Sequence, residues 1–220
     1  MTEQKPFQVE TTIDAPLETV WSALTTPGQI HEWFGWPHDG LDAEIRYIFV
    51  DHAEHLPPDR ISLAAGQTIQ LTTDGRRTVV RLVMAGDLDD AKWADVYDPL
   101  EEGWRAFFEQ LRFLLERHRS AHRRALHLSG TATGPAALAM LAAAGVKEIW
   151  HESRCQQAVL DGDGHLIVVS ATHPLTDTEA GPVGVTVTTY GLTDDSFAAV
   201  RQQWTARWQA TVGDTEVSVG

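Results

Sequence analysis

The sequence predicts an α+β protein in which a curved antiparallel sheet wraps around a long C-terminal helix, with a second, shorter passage of the same pattern behind it. Three observations carry this. An alternating stretch runs straight into a helical one in FQVETTIDAPLETVWSALTTPGQIHEWF, residues 7–34. Two strand-like runs flank Asp74-Gly75, and a long apolar stripe at three- and four-residue spacing begins after Asp98.

Phe7, Val9, Thr11 and Ile13 alternate with polar neighbours, which predicts a strand with one buried face. Asp14 is expected to cap the next helix, with Pro16 in its first turn and Glu18 at the positive end of its dipole. Val20, Trp21 and Leu24 form its apolar face. Thr26, Pro27 and Gly28 break it, and Ile30, Trp33 and Phe34 carry a short second helix that Gly35, Pro37 and Gly40 end. Residues 45–50 are β-branched and aromatic, so they predict a strand, and Leu56-Pro57-Pro58-Asp59 predicts a turn. Residues 67–73 and 78–84 read as a hairpin turning at Asp74-Gly75. Asp98 and Pro99 then open a helix of about 18 residues. Its stripe is Trp104, Phe107, Phe108, Leu111, Leu114, Leu115 and His118.

After the basic run RHRSAHRR, residues 117–124, the order begins again. LHLSGTATGPAALAMLAAAGVKEIW, residues 126–150, lies on the opening stretch with Leu126 and Leu128 where Phe7 and Val9 stood, Pro135 where Pro16 stood and Trp150 near Trp33. Strands are expected at 153–160 and 165–171 about the turn Asp161-Gly162-Asp163-Gly164, and again at 183–190. Asp194 and Asp195 are expected to cap a last helix striped by Phe197, Val200, Trp204 and Trp208. The chain therefore divides into 1–119, a basic linker at 120–125, and a shorter, degenerate repeat at 126–220. Two repeats in one chain imply a monomer or an internal pseudo-dimer.

At 220 residues with 43% apolar side chains, the chain has enough material for a substantial core. A formal net charge of −14 argues against nucleic acid and against anionic membrane surfaces, since both select clustered Lys and Arg. No apolar run reaches the roughly 18 residues a bilayer requires. MTEQKPFQVE lacks the pattern of a secretory signal, and the single cysteine, Cys155, allows no internal disulfide. The expected location is therefore cytoplasmic.

DAPLETVWSALTTPGQIHEWF, followed much later by EEGWRAFFEQLRFLLE, resembles the START-like superfamily, also called helix-grip or SRPBCC, and most of all its heat-shock-protein-90 ATPase activator-like branch. PPDRISL, residues 57–63, is similar to the family segment before the central hairpins, and the likeness covers roughly residues 6–118. The stretch between Trp33 and that turn is shorter than in the family and lacks its Gly-Gly, which implies a shortened strand pair. The resemblance implies a cavity between sheet and closing helix, with the two early helices shutting one edge.

Such a cavity would be lined by Trp33, Phe34, Trp104 and Phe108, with Arg81 as a polar anchor if it points inward and a solvated side chain if it points outward. The expected role is binding of a small hydrophobic or amphipathic molecule without catalysis. One alternative is a cyclase- or aromatase-type enzyme using His38, His52 or Glu44 if they point inward. The other is a module that contacts a chaperone through the acidic patches at residues 87–90 and at Glu101-Glu102. No cofactor or metal is expected. His118 and His122 stand one helical turn apart but beside arginines, Asp51 to His55 offers no complete ligand set, and DGDGH lacks the later glutamate of a calcium loop. Cys155 has only His151 near it and no third member to orient the pair.

Overall fold

The computed structural model describes residues 5–86, 93, 96–118 and 121–220. Its contacts divide the chain into two units, residues 1–35 with 40–119, and residues 36–39 with 120–220. Each contains one antiparallel sheet and a long helix. No helix among the described residues is long and apolar enough to cross a membrane.

In the first unit β1 (Phe7–Ile13) leads to α1 (Leu17–Thr25) and α2 (Pro27–Ile30). Three expectations fail here. The short second helix stops at Ile30, so Trp33 and Phe34 lie in the turn and bend that follow it. The cap position of α1 is Pro16, without a side-chain bond, while the backbone N–H of Asp14 donates to Glu116 at 2.9 Å. Residues 45–50 are helical: α3 (Leu41–Arg46) runs into a π-helical turn over Tyr47–Asp51. Only Ile45 and Phe49 of that stretch are buried while Tyr47 and Val50 are exposed, so the spacing of the buried pair is helical despite the β-branched composition.

β2 (Glu54–Leu56) and β3 (Arg60–Ser62) are three residues each, the shortened pair the resemblance implied. β4 (Gln67–Asp74) and β5 (Arg77–Met84) make the hairpin, Asp74 pairing with Arg77 across a two-residue turn in which Gly75 takes φ +64°. The sheet order is β1-β5-β4-β3-β2. α4 (Pro99–Arg117) closes the unit. Asp98 caps it, its carboxylate accepting from Leu100 and Glu101 N–H at 2.8 and 3.1 Å, and Pro99 sits where a missing N–H costs nothing. The helix ends at Arg117, so His118 and His122 do not share a helical face; His118 instead packs edge-on against Phe113.

The second unit repeats the order. β6 (Arg123–Ala132) is followed by α5 (Gly134–Ala143), capped by Thr133. β7 (Glu148–Glu152), β8 (Gln156–Leu160), β9 (Leu166–Ala171) and β10 (Gly181–Tyr190) come next, then α6 (Asp194–Gln209). Trp150 lies in a strand rather than a helix, and Thr193, not Asp194 or Asp195, caps α6; the two aspartates occupy its first turn. β11 (Gly213–Val219) was not expected from the sequence. It pairs with β6 and gives the order β11-β6-β10-β9-β8-β7. Phe197, Trp204 and Trp208 of α6 bury against Leu126, Leu128, Val169, Val185 and Val187. Residues 36–39 belong to this unit, with Trp36 stacked on His127 at 5.4 Å.

Candidate functional site

The space between α4 and the first sheet is where the sequence placed a ligand. β1, β5 and β4 alternate, so Phe7, Val9, Thr11 and Ile13 share a buried face with Leu82 and Val80, and with Ile69 and Leu71. α4 lies along β1, and three side chains tie helix to strand. Lys5 bonds Glu101 at 2.8 Å, Thr11 donates to Glu109 at 3.1 Å, and Glu116 accepts the Asp14 N–H.

At the N-terminal half of α4 the chain converges in aromatic rings. Trp33 and Phe34 arrive from the turn after α2, Phe49 from the π-helical turn, and Trp104, Phe107 and Phe108 from the helix. Phe34 is the hub, with ring centroids 5.0 Å from Phe49, 4.6 Å from Phe107, 5.7 Å from Trp33 and 5.8 Å from Trp104. Trp104 also meets Phe108 at 5.6 Å. Most of these contacts are edge-on or tilted, the arrangement the ring quadrupole favours by about 0.5–1.5 kcal/mol per pair. The structure thus brings together all four aromatic residues singled out in the sequence and adds Phe49 and Phe107. Phe107 was visible in the helical stripe; Phe49 was hidden by the strand assigned to its segment.

Polar atoms inside this layer are matched one by one. Trp104 Nε1 donates to Gln67 Oε1 at 2.7 Å, Trp33 Nε1 to the Ala23 carbonyl at 2.9 Å, and the Gln110 carboxamide to the Gly35 carbonyl at 3.3 Å. Each would be costly to bury alone. Glu109 differs. It is 5% exposed, its Oε1 accepts from Thr11, and its Oε2 has no hydrogen bond; the Arg112 guanidinium stands 3.5 Å away. Burial raises its pKa from 4.5 to about 7, overriding the attraction of Arg112 and the bond from Thr11. No sequence signal marked it, because a glutamate near three helix arginines reads as surface.

Arg81 does not join this group. It lies on the outer face of β5, where it pairs with Glu10 at 2.5 Å, both side chains about two-fifths exposed (42% and 40%). His38, His52 and Glu44 are exposed, so none enters the interior as an acid–base group. Glu101 and Glu102 engage Lys5 and Arg105, and residues 87–90 lie outside the described residues.

Asp161, Asp163 and His165 place ligand-type atoms within 4.8 Å of one another. The Asp161 carboxylate accepts from the N–H groups of Asp163 and His165, both at 2.9 Å, which is what a tight hairpin turn requires. Burial opposes its ionisation, but the bonds and charge of His165 hold its pKa below the usual range. An open groove of about 630 Å³ runs along α6, but its wall is a stripe of Ala198, Ala199, Thr205 and Ala206 with Asp195, Arg201 and two glutamines, all on one helix. Neither place has the buried ring cluster and the buried carboxyl that α4 carries.

No family model and no curated protein matches the chain. Solved structures similar to it include the Aha1 dimer from Colwellia psychrerythraea, at 16% identity over 53% of this chain and 100% of that one, TM-score 0.35. Protein MLL2253 from Mesorhizobium loti is similar at 26% identity over 51% and 98%, TM-score 0.34. The di-domain ARO/CYC BexL from the BE-7585A biosynthetic pathway aligns over 93% of both chains at 13% identity, TM-score 0.34. In each unit the first strand pairs with the last strand before a long helix, so the chain is an α+β protein of two similar repeats.

Proposed function

We propose that the first unit binds a small, mainly apolar molecule between α4 and the sheet, against the wall of Trp33, Phe34, Trp104 and Phe108, and that it does so without catalysis. The observation that carries this is the convergence of rings from three separate segments beneath one helix, a helix that also carries a buried carboxyl, Glu109, whose pKa burial has shifted. Small-molecule sites combine apolar, aromatic walls with a few placed polar groups, and perturbed carboxyls cluster at such sites. The rings pack on one another here, so a guest must separate them, and its affinity is the contact it gains less the ring contacts it replaces.

Native mass spectrometry of the purified protein should reveal a bound small molecule. Ligand-observed NMR should show 1-ethylnaphthalene, a neutral apolar probe, binding and broadening on addition of protein. A bare protein mass together with unbroadened probe signals at millimolar concentration would sink the reading.

A further inference from the structure

We propose that Oε2 of Glu109 is the recognition point for a hydroxyl or amine on the otherwise apolar molecule held under α4. This rests on the binding reading above and names the chemistry of the ligand. The carboxyl lies over the inner face of β1, since its Oε1 accepts from Thr11, which shares that face with Phe7, Val9 and Ile13. Oε2 is buried and makes no hydrogen bond.

The charges around it give that oxygen an ion pair but no hydrogen bond. From α4, Arg112 stands 3.5 Å from Oε2, beyond good hydrogen-bond length, while its Nε lies 3.2 Å from Glu116 Oε1. Glu116 also holds the Asp14 N–H, so the two acids share one guanidinium and Glu116 has the closer contact. From β1 only the Thr11 hydroxyl reaches the carboxyl, and Oε1 uses it. A buried carboxylate oxygen without a donor is costly, and a purely structural position would be served as well by an apolar side chain. A donor carried in by the guest removes that cost. Glu109 and Glu116 together repel an anion, so the class is neutral alcohols, or amines, with an apolar body.

The test compares 1-naphthalenemethanol with 1-ethylnaphthalene, which match in shape and differ only in a hydroxyl that replaces the terminal methyl, using the full chain at pH 8, where Glu109 is mainly ionised. The alcohol should bind at least about tenfold tighter, the effect of one hydrogen bond to a charged group. The preference should vanish in Glu109→Leu and persist in Glu109→Gln, which keeps an acceptor. Equal binding of the two probes to the wild-type chain, or a preference that survives in Glu109→Leu, overturns the assignment. Binding of neither probe overturns the assignment, and if the protein mass is also bare it overturns the ligand-binding reading itself. If Glu109→Leu does not fold, the ¹³C shift of the Glu109 carboxyl decides the matter: it should move with the alcohol and not with the hydrocarbon, and the reverse overturns the proposal.

Discussion

Glu109 makes the stability of the first unit depend on pH in an unusual direction for an acid. Its folded pKa of about 7 lies above the unfolded 4.5, so the contribution is fully present below 4.5 and is lost as pH rises through 7. Arg112 and Glu116 on α4 and Thr11 on β1 are the groups that face it. Urea unfolding should therefore show the wild-type chain losing on the order of 2–3 kcal/mol between pH 4.5 and 8 from this group, with Glu109→Gln flattening the slope. Identical pH profiles for the two proteins would show that the carboxyl is solvated. Trp104 gives a second test at this scale. Trp104→Phe keeps a ring but leaves Gln67 Oε1 buried without its 2.7 Å donor, an expected loss of about 1–3 kcal/mol. If the same change is made in a Gln67→Leu background, most of that loss should disappear.

Helix ends and glycines set the expectations for whole elements. Asp98→Ala removes both side-chain bonds at the start of α4 and should cost about 1 kcal/mol, read as a lower urea midpoint at unchanged slope. Two glycines should respond oppositely to alanine. A Cβ on Gly134 would stand 2.3 Å from the Leu175 carbonyl, a backbone atom that Gly134 N–H donation to Asp177 keeps close, so Gly134→Ala should cost on the order of 3 kcal/mol or more. Gly28 in α2 has nothing within 4 Å and an ordinary φ, so Gly28→Ala should stabilise by about 0.5–1 kcal/mol. Thermal melts of the two variants should fall on opposite sides of the wild type.

For the whole molecule, Trp36 is the informative residue, because it sits in the first third of the chain and packs in the second unit. It stacks on His127, whose Nδ1 lies 3.0 Å from Thr186 Oγ1 and whose pKa burial lowers to about 4. The stability tied to that neutral imidazole is present above pH 6.5 and lost as pH falls towards 4. Trp36→Ala should lower hydrogen-exchange protection in β6 and β10 and raise the His127 pKa towards 6.5, leaving β1 and β5 unchanged. Larger losses in β1 and β5 would mean that residues 36–39 support the first unit instead.

The α+β class, the hairpin at Asp74, the long helix from Asp98 and the repetition of the pattern were legible in the residues, because each rests on local periodicity, turn chemistry or a cap. The sequence also named four of the six rings under α4. Tertiary structure alone decided the rest. Residues 45–50 are helical because Ile45 and Phe49 bury together, which outweighs their β-branched composition. Weakly apolar residues 213–219 became a strand because β6 offered them an open edge. Glu109 turned inward because helix and strand press on it from both sides, and that closeness comes from residues 98 positions apart in the chain, which no local pattern records.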